Sequence, residues 1–215
     1  MELESEIKKA SETVEIIKTE QEKVNHSIWL ERSSFRIVLI SIFTALAINL
    51  GYLLIHFTNI ELFTLTIFLS GFTLGKRDGM IVGFLSSLIF CFFNPYGAYL
   101  PLLAFQLIHY TLTGLLGALT KQLLRDRKVI RDKKEFYTVS MMILFGALGA
   151  IITINFQVFA SLVDVLIKYG TIEAFVPYFF NPSAFPFTII HIIGNTLGFI
   201  FILPGLIQLI NKLLD

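Results

Sequence analysis

Long runs of apolar residues constrain the fold of this chain more than any other feature of its sequence. Several of them approach the roughly 20 residues that a helix needs to cross the hydrocarbon core of a bilayer. Of the 215 residues, 55% are hydrophobic and 15% are charged. An ordinary soluble domain carries about 25% charged residues and has no interior for so much apolar side chain. We therefore expect an all-α, multi-pass protein of the cell membrane.

The first 33 residues differ from the rest because they are rich in charge. They hold eight of the 16 acidic residues and contain neither glycine nor proline. Apolar positions recur in steps of four and three, the heptad pattern of a helix that packs along one seam. The seam consists of Leu3, Ile7, Ala10, Val14, Ile17, Gln21, Val24 and Ile28, of which only Gln21 is polar. We interpret residues 1–33 as a cytoplasmic amphipathic helix, which either pairs with a partner helix or lies on the membrane or on its own domain.

Residues 34–215 contain six apolar segments. They cover about 36–57, 62–75, 80–93, 100–119, 137–167 and 187–210. If the N-terminus is cytoplasmic, 16 of the 17 basic residues fall on the cytoplasmic side, and only Lys168 lies outside. Basic residues accumulate in the cytoplasmic loops of membrane proteins. The sequence thus predicts a domain of six transmembrane helices with both termini in the cytoplasm.

Polar side chains in the last three segments lie towards the predicted extracellular ends. Such side chains are costly in a bilayer and often mark a functional site. The candidates are Gln106, His109, Tyr110, Asn155, Asp164, His191 and Asn195. The cytoplasmic halves of these segments offer only hydroxyls and small residues, which favours a pocket open to the outside over a continuous channel. The alternatives are that amides and imidazoles only link helix to helix, and that Asp164 only pairs with Lys168.

Two predicted outer loops repeat the sequence Phe-Phe-Asn-Pro, at residues 92–95 and 179–182. Asn-Pro favours the start of a turn, and proline stiffens a loop. One interpretation is an aromatic lid over the pocket, to which Asn94, Tyr96 and Asn181 contribute. The other is the belt of aromatic residues found at membrane interfaces. The low charge of these residues favours a neutral, planar organic ligand over a phosphate or a metal ion.

Gly71, Gly75, Gly79 and Gly83 are spaced four residues apart, which lets helix backbones approach closely. The string GFTLGKR in this stretch is not a phosphate-binding loop. It has three residues between its glycines instead of four, and Arg77 follows the lysine where Ser or Thr is required. Any ATP-driven step therefore needs another subunit. The net charge of +1 argues against nucleic acid as a partner.

A glycine-flanked turn with a basic residue, a proline-bearing loop and a Gly-x-x-Gly span follow one another between residues 61 and 120. The residues concerned are Gly71, Gly75, Lys76, Gly79, Gly83, Pro95, Pro101, Gly114 and Gly117. In this pattern the chain resembles the S components, the substrate-binding membrane subunits, of energy-coupling factor (ECF) vitamin transporters. The long N-terminal helix is not part of the usual pattern.

The resemblance implies a function and partners. Such a subunit captures a vitamin or a related small organic micronutrient near the outer surface. It delivers the ligand through a transmembrane T subunit that is coupled to two ATPases. Small residues of the first span contact the T subunit, and the candidates here are Ser41, Ala45, Ala47 and Gly51.

Two other functions compete with transport. His191-x-x-x-Asn195 resembles one element of CAAX-type intramembrane proteases, but the paired glutamates that those enzymes need are missing. His109 and His191 could ligate a metal, but the sequence offers no compelling third ligand. We therefore expect neither an enzyme nor a resident metal or cofactor. The second alternative is a membrane scaffold assembled through the heptads of residues 1–33.

Overall fold

The computed structural model of the protein describes residues 33–57, 61–94, 100–126 and 137–214. Every regular element in these ranges is helical. The helices are α1 (Ser33–Leu53), α2 (Phe63–Leu74), α3 (Lys76–Phe92), α4 (Leu100–Asp126), α5 (Val139–Tyr169), α6 (Phe175–Phe179), α7 (Phe185–Leu197) and α8 (Leu203–Leu214). The helix predicted for residues 1–33 falls almost entirely outside the described ranges, as does Tyr96.

Four helical stretches are long and apolar enough to cross a membrane. They are Ser33–Leu53, Leu100–Leu124, Val139–Tyr169 and Phe185–Ile210. Helix α2 is apolar but has only 12 residues, and α3 has 17 residues and opens with charges. Many large apolar side chains point outward, among them Val139 at 72% exposure. The all-α, multi-pass membrane architecture expected from the composition is thus confirmed.

Helix α2 lies at the centre of the bundle. Eleven of its 12 residues are buried, from Phe63 to Thr73. A helix that is apolar all round belongs in an interior, and its neighbours rather than lipid cover it. Its rings meet two other parts of the chain, with centroids 5.1 Å apart for Phe68 and Phe199 and 6.3 Å apart for Phe72 and Phe145. The short second segment is therefore a core element.

Glycines bring the backbones of α2, α3 and α4 into direct contact. A Cβ added to Gly71 would overlap the carbonyl oxygen of Gly114, and one added to Gly114 would overlap that of Gly79. A Cβ on Gly83 would likewise overlap the Tyr110 carbonyl oxygen. The close approach expected from the glycine spacing is thus present at Gly71, Gly79 and Gly83.

Gly75 has a different role from the other glycines of this series. It is the single residue between α2 and α3, and its φ is +97°, where side chains are strained. A Cβ there would meet nothing within 4 Å, so backbone conformation and not space requires the glycine. The turn allows the two short helices to lie side by side.

The last apolar segment is interrupted by a π-helical turn at Gly198–Ile202. Pro204 follows it, and a proline lacks the N–H group and clashes with the carbonyl group four residues before it. A wider turn relieves this conflict, so α7 passes through it into α8 without a loop. The predicted sixth segment therefore consists of two helices and a π turn.

Basic residues meet at one end of the bundle. Both Nε and Nη2 of Arg36 on α1 donate to the carboxylate of Asp78, each at 2.8 Å. Asp78 is buried in the first turn of α3, where a negative charge also suits the helix dipole. Lys121 of α4 donates to the carbonyl oxygen of Thr73, next to the same turn. The start of α1, the α2–α3 turn and the last part of α4 therefore share one end.

We expect Gly114→Leu to disrupt the bundle, because the carbonyl oxygen it would strike belongs to a backbone that cannot rotate away. The loss of stability should reach or exceed the upper end of the about 1–3 kcal/mol usual for overpacking. Ala104→Leu is the matched control, because Ala104 lies on the same helix and is exposed. Thermal unfolding in detergent measures both. An unchanged melting temperature for Gly114→Leu would contradict the close packing of α2, α3 and α4.

Candidate functional site

A polar network gathers around Glu61, which precedes α2. Its Oε1 atom lies 3.1 Å from His191 Nε2 and accepts a hydrogen bond from Asn195 Nδ2 at 3.3 Å. The hydroxyl of Thr64 donates to the same oxygen. His191 and Asn195 are 5% and 3% exposed, so most of the network is shielded from solvent and lipid. One carboxylate thus ties the start of α2 to α7.

The network continues into α5. Gln157 Nε2 lies 2.7 Å from His191 Nδ1, and Asn195 Nδ2 also donates to Thr153 Oγ1 at 3.0 Å. With the Gln157 amide as donor, Nδ1 accepts and the hydrogen of the neutral ring sits on Nε2, which then donates to Glu61. Thr153 and Gln157 are four residues apart on α5, as His191 and Asn195 are on α7, so each pair lies on one face of its helix. The two faces can therefore form both contacts at once.

Glu61 carries the negative charge of this network. Hydrogen bonds with His191, Thr64 and Asn195 offset the cost of burying its carboxylate. Its side chain keeps 19% exposure, so a ligand approaching from that side would meet an anionic acceptor.

Phe156 of α5 separates this network from a second polar group on α4. Its ring centroid lies 6.0 Å from that of His191 and 5.1 Å from that of His109. Phe105 packs beside both Phe156 and His109, at 5.8 Å and 5.7 Å. Phenylalanine rings therefore fill the gap between the two histidines.

A cavity of about 270 Å³ opens between α4 and α5 next to His109. Its polar lining comes from His109, Thr113 and Asn155, and leucine and isoleucine side chains form the rest. His109 is 6% exposed, yet its Nε2 atom has no hydrogen-bond partner in the described part of the chain. An unpaired buried polar group costs about 1–3 kcal/mol, so a ligand that pairs with this nitrogen would gain free energy.

Other predicted site residues lie elsewhere. Asp164 accepts a hydrogen bond from Tyr178 at 2.9 Å. It also pairs with Lys168 at 3.4 Å, which was the alternative to a role in the site. The Oδ1 atom of Asn181 accepts from the backbone of Ser183, so its exposed side chain closes a local turn. Neither residue touches the Glu61 network.

The remaining candidates have varied surroundings. Tyr110 is buried in an aromatic cluster, with its ring centroid 4.8 Å from that of Phe63. Gln106 and Asn94 are partly exposed. Asn155 is exposed but lines the cavity beside His109. The structure therefore brings together His191 and Asn195 in one group, and His109 and Asn155 in another.

The predicted site residues do not include Glu61, although this residue joins the network together and the sequence places it among the few charges near the outer half of the membrane. A signal was available, because Glu61 is an acid placed directly before an apolar helix. Gln157 and Thr153 were also omitted from the site residues. Their part depends on facing α7, which a single sequence does not reveal.

The four small residues predicted to contact the T subunit lie on two different faces of α1. Ser41 and Ala45 are exposed, and the Ser41 hydroxyl donates to the carbonyl oxygen of Ile37. Ala47 is fully buried, and a Cβ on Gly51 would lie 2.8 Å from the Phe90 ring. Only the Ser41 and Ala45 face is open to another subunit in this structure.

Comparisons with known proteins give a family. The model of the family described as "ECF-type riboflavin transporter, S component" matches residues 32–202. Searches of curated proteins and of solved structures found no similar protein. Within the described residues no cluster of three or more His, Cys, Asp or Glu side chains is arranged to hold a metal ion. The matched range covers well over half of the chain, and the protein therefore belongs to the family of ECF-type riboflavin transporter S components, which are substrate-binding subunits of transporters and not enzymes.

Proposed function

We propose that this S component captures riboflavin, or a flavin close to it, from outside the cell. The observation that carries the proposal is that His109, whose Nε2 atom has no hydrogen-bond partner among the described residues, and the network around Glu61 lie on either side of the Phe156 ring. A flavin offers a planar ring for aromatic contacts and an edge of hydrogen-bonding groups. The family model is named for riboflavin, and it supports the same choice.

The proposed binding site lies between α4 and α5, with the Glu61 network beyond Phe156. His109 and Asn155 supply hydrogen-bonding groups at the cavity, and the rings of Phe105 and Phe156 pack next to His109. The cavity of about 270 Å³ lies just below the range of about 300–1,000 Å³ usual for ligand pockets, so we expect side chains above it to move when a flavin enters. Asn94, Tyr96, Gln106 and Asn181 are candidates for closing the site from outside.

The proposed membrane topology has six spans with both termini in the cytoplasm. The one-sided distribution of basic residues supports this orientation. The structure adds that Arg36 and Lys121 both lie at the end that contains the α2–α3 turn. Lys168, the one basic residue expected outside, follows Asp164 near the other end of α5. The Glu61 network then lies towards the extracellular side.

Delivery of the ligand requires a T subunit and two ATPases, and we propose that the face of α1 with Ser41 and Ala45 contacts the T subunit. Small exposed side chains let a second helix approach closely in a bilayer. Residues 1–33 are proposed as a separate cytoplasmic helix, with a partner helix as one candidate contact. The intramembrane protease is not favoured, because the family is one of transporter subunits.

We expect Asn195→Leu and His109→Leu each to weaken riboflavin binding, because each removes a polar group at the proposed site. Losing about 1–3 kcal/mol raises Kd by about five-fold to 150-fold. Gln106→Leu should have a smaller effect, since Gln106 is partly exposed. Quenching of riboflavin fluorescence by the purified protein measures Kd.

Asn49→Leu provides the matched control, because the exposed Asn49 amide bonds only to the Ala45 carbonyl oxygen among the described contacts. This variant should bind as the unaltered protein does. If Asn195→Leu and His109→Leu fold and keep the original Kd, they do not belong to the site. Mass spectrometry of small molecules that copurify with the protein tests the ligand itself, and a non-flavin ligand would refute riboflavin.

We expect Ser41→Trp and Ala45→Trp to reduce copurification with the T subunit while riboflavin binding is kept. A large ring on this face prevents close helix approach. Ile143→Trp is the control, since Ile143 is 65% exposed on a different helix, α5. Equal losses for Ile143→Trp, or normal assembly of Ser41→Trp, would argue against this interface.

A further inference from the structure

An apolar groove lies on the outside of α3 and α4, and its lining shares Leu115 with the cavity next to His109. The groove has a volume of about 620 Å³. Four side chains of α3 form one wall, Met80, Ile81, Phe84 and Leu85, and Thr111 and Leu115 of α4 form the other. The Thr111 hydroxyl is satisfied by the Leu107 carbonyl oxygen at 2.7 Å, so the groove presents mostly hydrocarbon.

Two cations stand at one end of this groove. Lys76 and Arg77 are exposed and line it at the start of α3. No ion pair of the described chain involves either of them, because the neighbouring carboxylate of Asp78 is already bound by Arg36. Within the described residues, the two exposed cations therefore have no carboxylate partner.

The dimensions of the groove match one leaflet of a bilayer. From Lys76 to Leu85 the helix rises about 13 Å at 1.5 Å per residue. Half of a hydrocarbon core is about 15 Å thick. Because the cations lie at the end of the bundle that also holds Arg36 and Lys121, they stand at headgroup level while the apolar walls reach towards the bilayer centre.

We propose that this groove binds one anionic phospholipid, with its phosphate group against Lys76 and Arg77 and an acyl chain along Met80, Phe84 and Leu115. Basic pockets beside transmembrane helices favour anionic headgroups. A second transmembrane helix fits less well, since the large side chains of Met80, Phe84 and Leu85 keep its backbone from the close approach by which such helices pack. In the proposed orientation the lipid belongs to the cytoplasmic leaflet. The site does not depend on which vitamin the protein carries.

Native mass spectrometry of the full chain in mild detergent tests the proposal. The probes are phosphatidylglycerol and phosphatidylcholine with identical acyl chains. We expect the unaltered protein to retain phosphatidylglycerol preferentially. Lys76→Gln/Arg77→Gln should lose about thirty-fold in affinity for it, the effect expected of two basic residues at an anionic lipid surface. Binding of phosphatidylcholine should hardly change.

Lys212→Gln is the charge control, because Lys212 is exposed on α8 and does not line the groove. It should retain phosphatidylglycerol as the unaltered protein does. Leu85→Trp fills the groove without changing charge and should also lower lipid retention. Thermal unfolding without added lipid shows whether each variant is folded.

Several results would overturn the proposal. Equal retention of both lipids by the unaltered protein would do so, as would unchanged retention in folded Lys76→Gln/Arg77→Gln. If Lys212→Gln lowered the retention of phosphatidylglycerol as much, the net charge of the protein and not a specific site would explain binding. If soluble glycerol phosphate displaced the lipid completely at equal concentration, the apolar groove would have no part in binding.

Discussion

The contact between the backbones of α2, α3 and α4 is the constraint on which the rest of this structure depends. Gly71, Gly79 and Gly114 meet with no room for a side chain. In a bilayer, lipid is as apolar as leucine, so packing rather than the hydrophobic effect must hold helices together. Close backbone packing allows α2 to be short, because its neighbours enclose it.

The position of α2 determines the position of Glu61. Since 11 of the 12 residues of α2 are buried, the residue just before it lies over the interior of the bundle and not in an exposed loop. A carboxylate so placed needs donors, and His191, Asn195 and Thr64 provide them. Glycines more than a helix turn away, at Gly71 and Gly79, thus help to place the one acid of the candidate site.

The sequence predicted much of this arrangement, but not all of it. Continuous runs of apolar residues located each segment, and charge predicted their orientation. The bounds of two segments differ from those predicted. Helix α3 begins already at Lys76, because Gly75 alone forms the turn after α2. The last segment is divided by a π turn before Pro204. Ala47 and Gly51 have the small size expected of an interface with another subunit, but both are buried, and Gly51 lies against Phe90 of α3. Glu61 could be recognised from the sequence only as one of the few charges near the site, because the contacts that tie it to α7 depend on the fold.

The two histidines of the site differ in a way that suggests different parts in ligand capture. Both ring nitrogens of His191 have partners, Gln157 and Glu61, so this ring is held in place before any ligand arrives. His109 is equally buried but keeps Nε2 without a partner in the described chain, beside a cavity. A preorganised group fixes orientation, and an unpaired one gains most when a ligand enters. Phe156 contacts both rings, so a flat ligand that displaced or stacked on Phe156 would meet the two together.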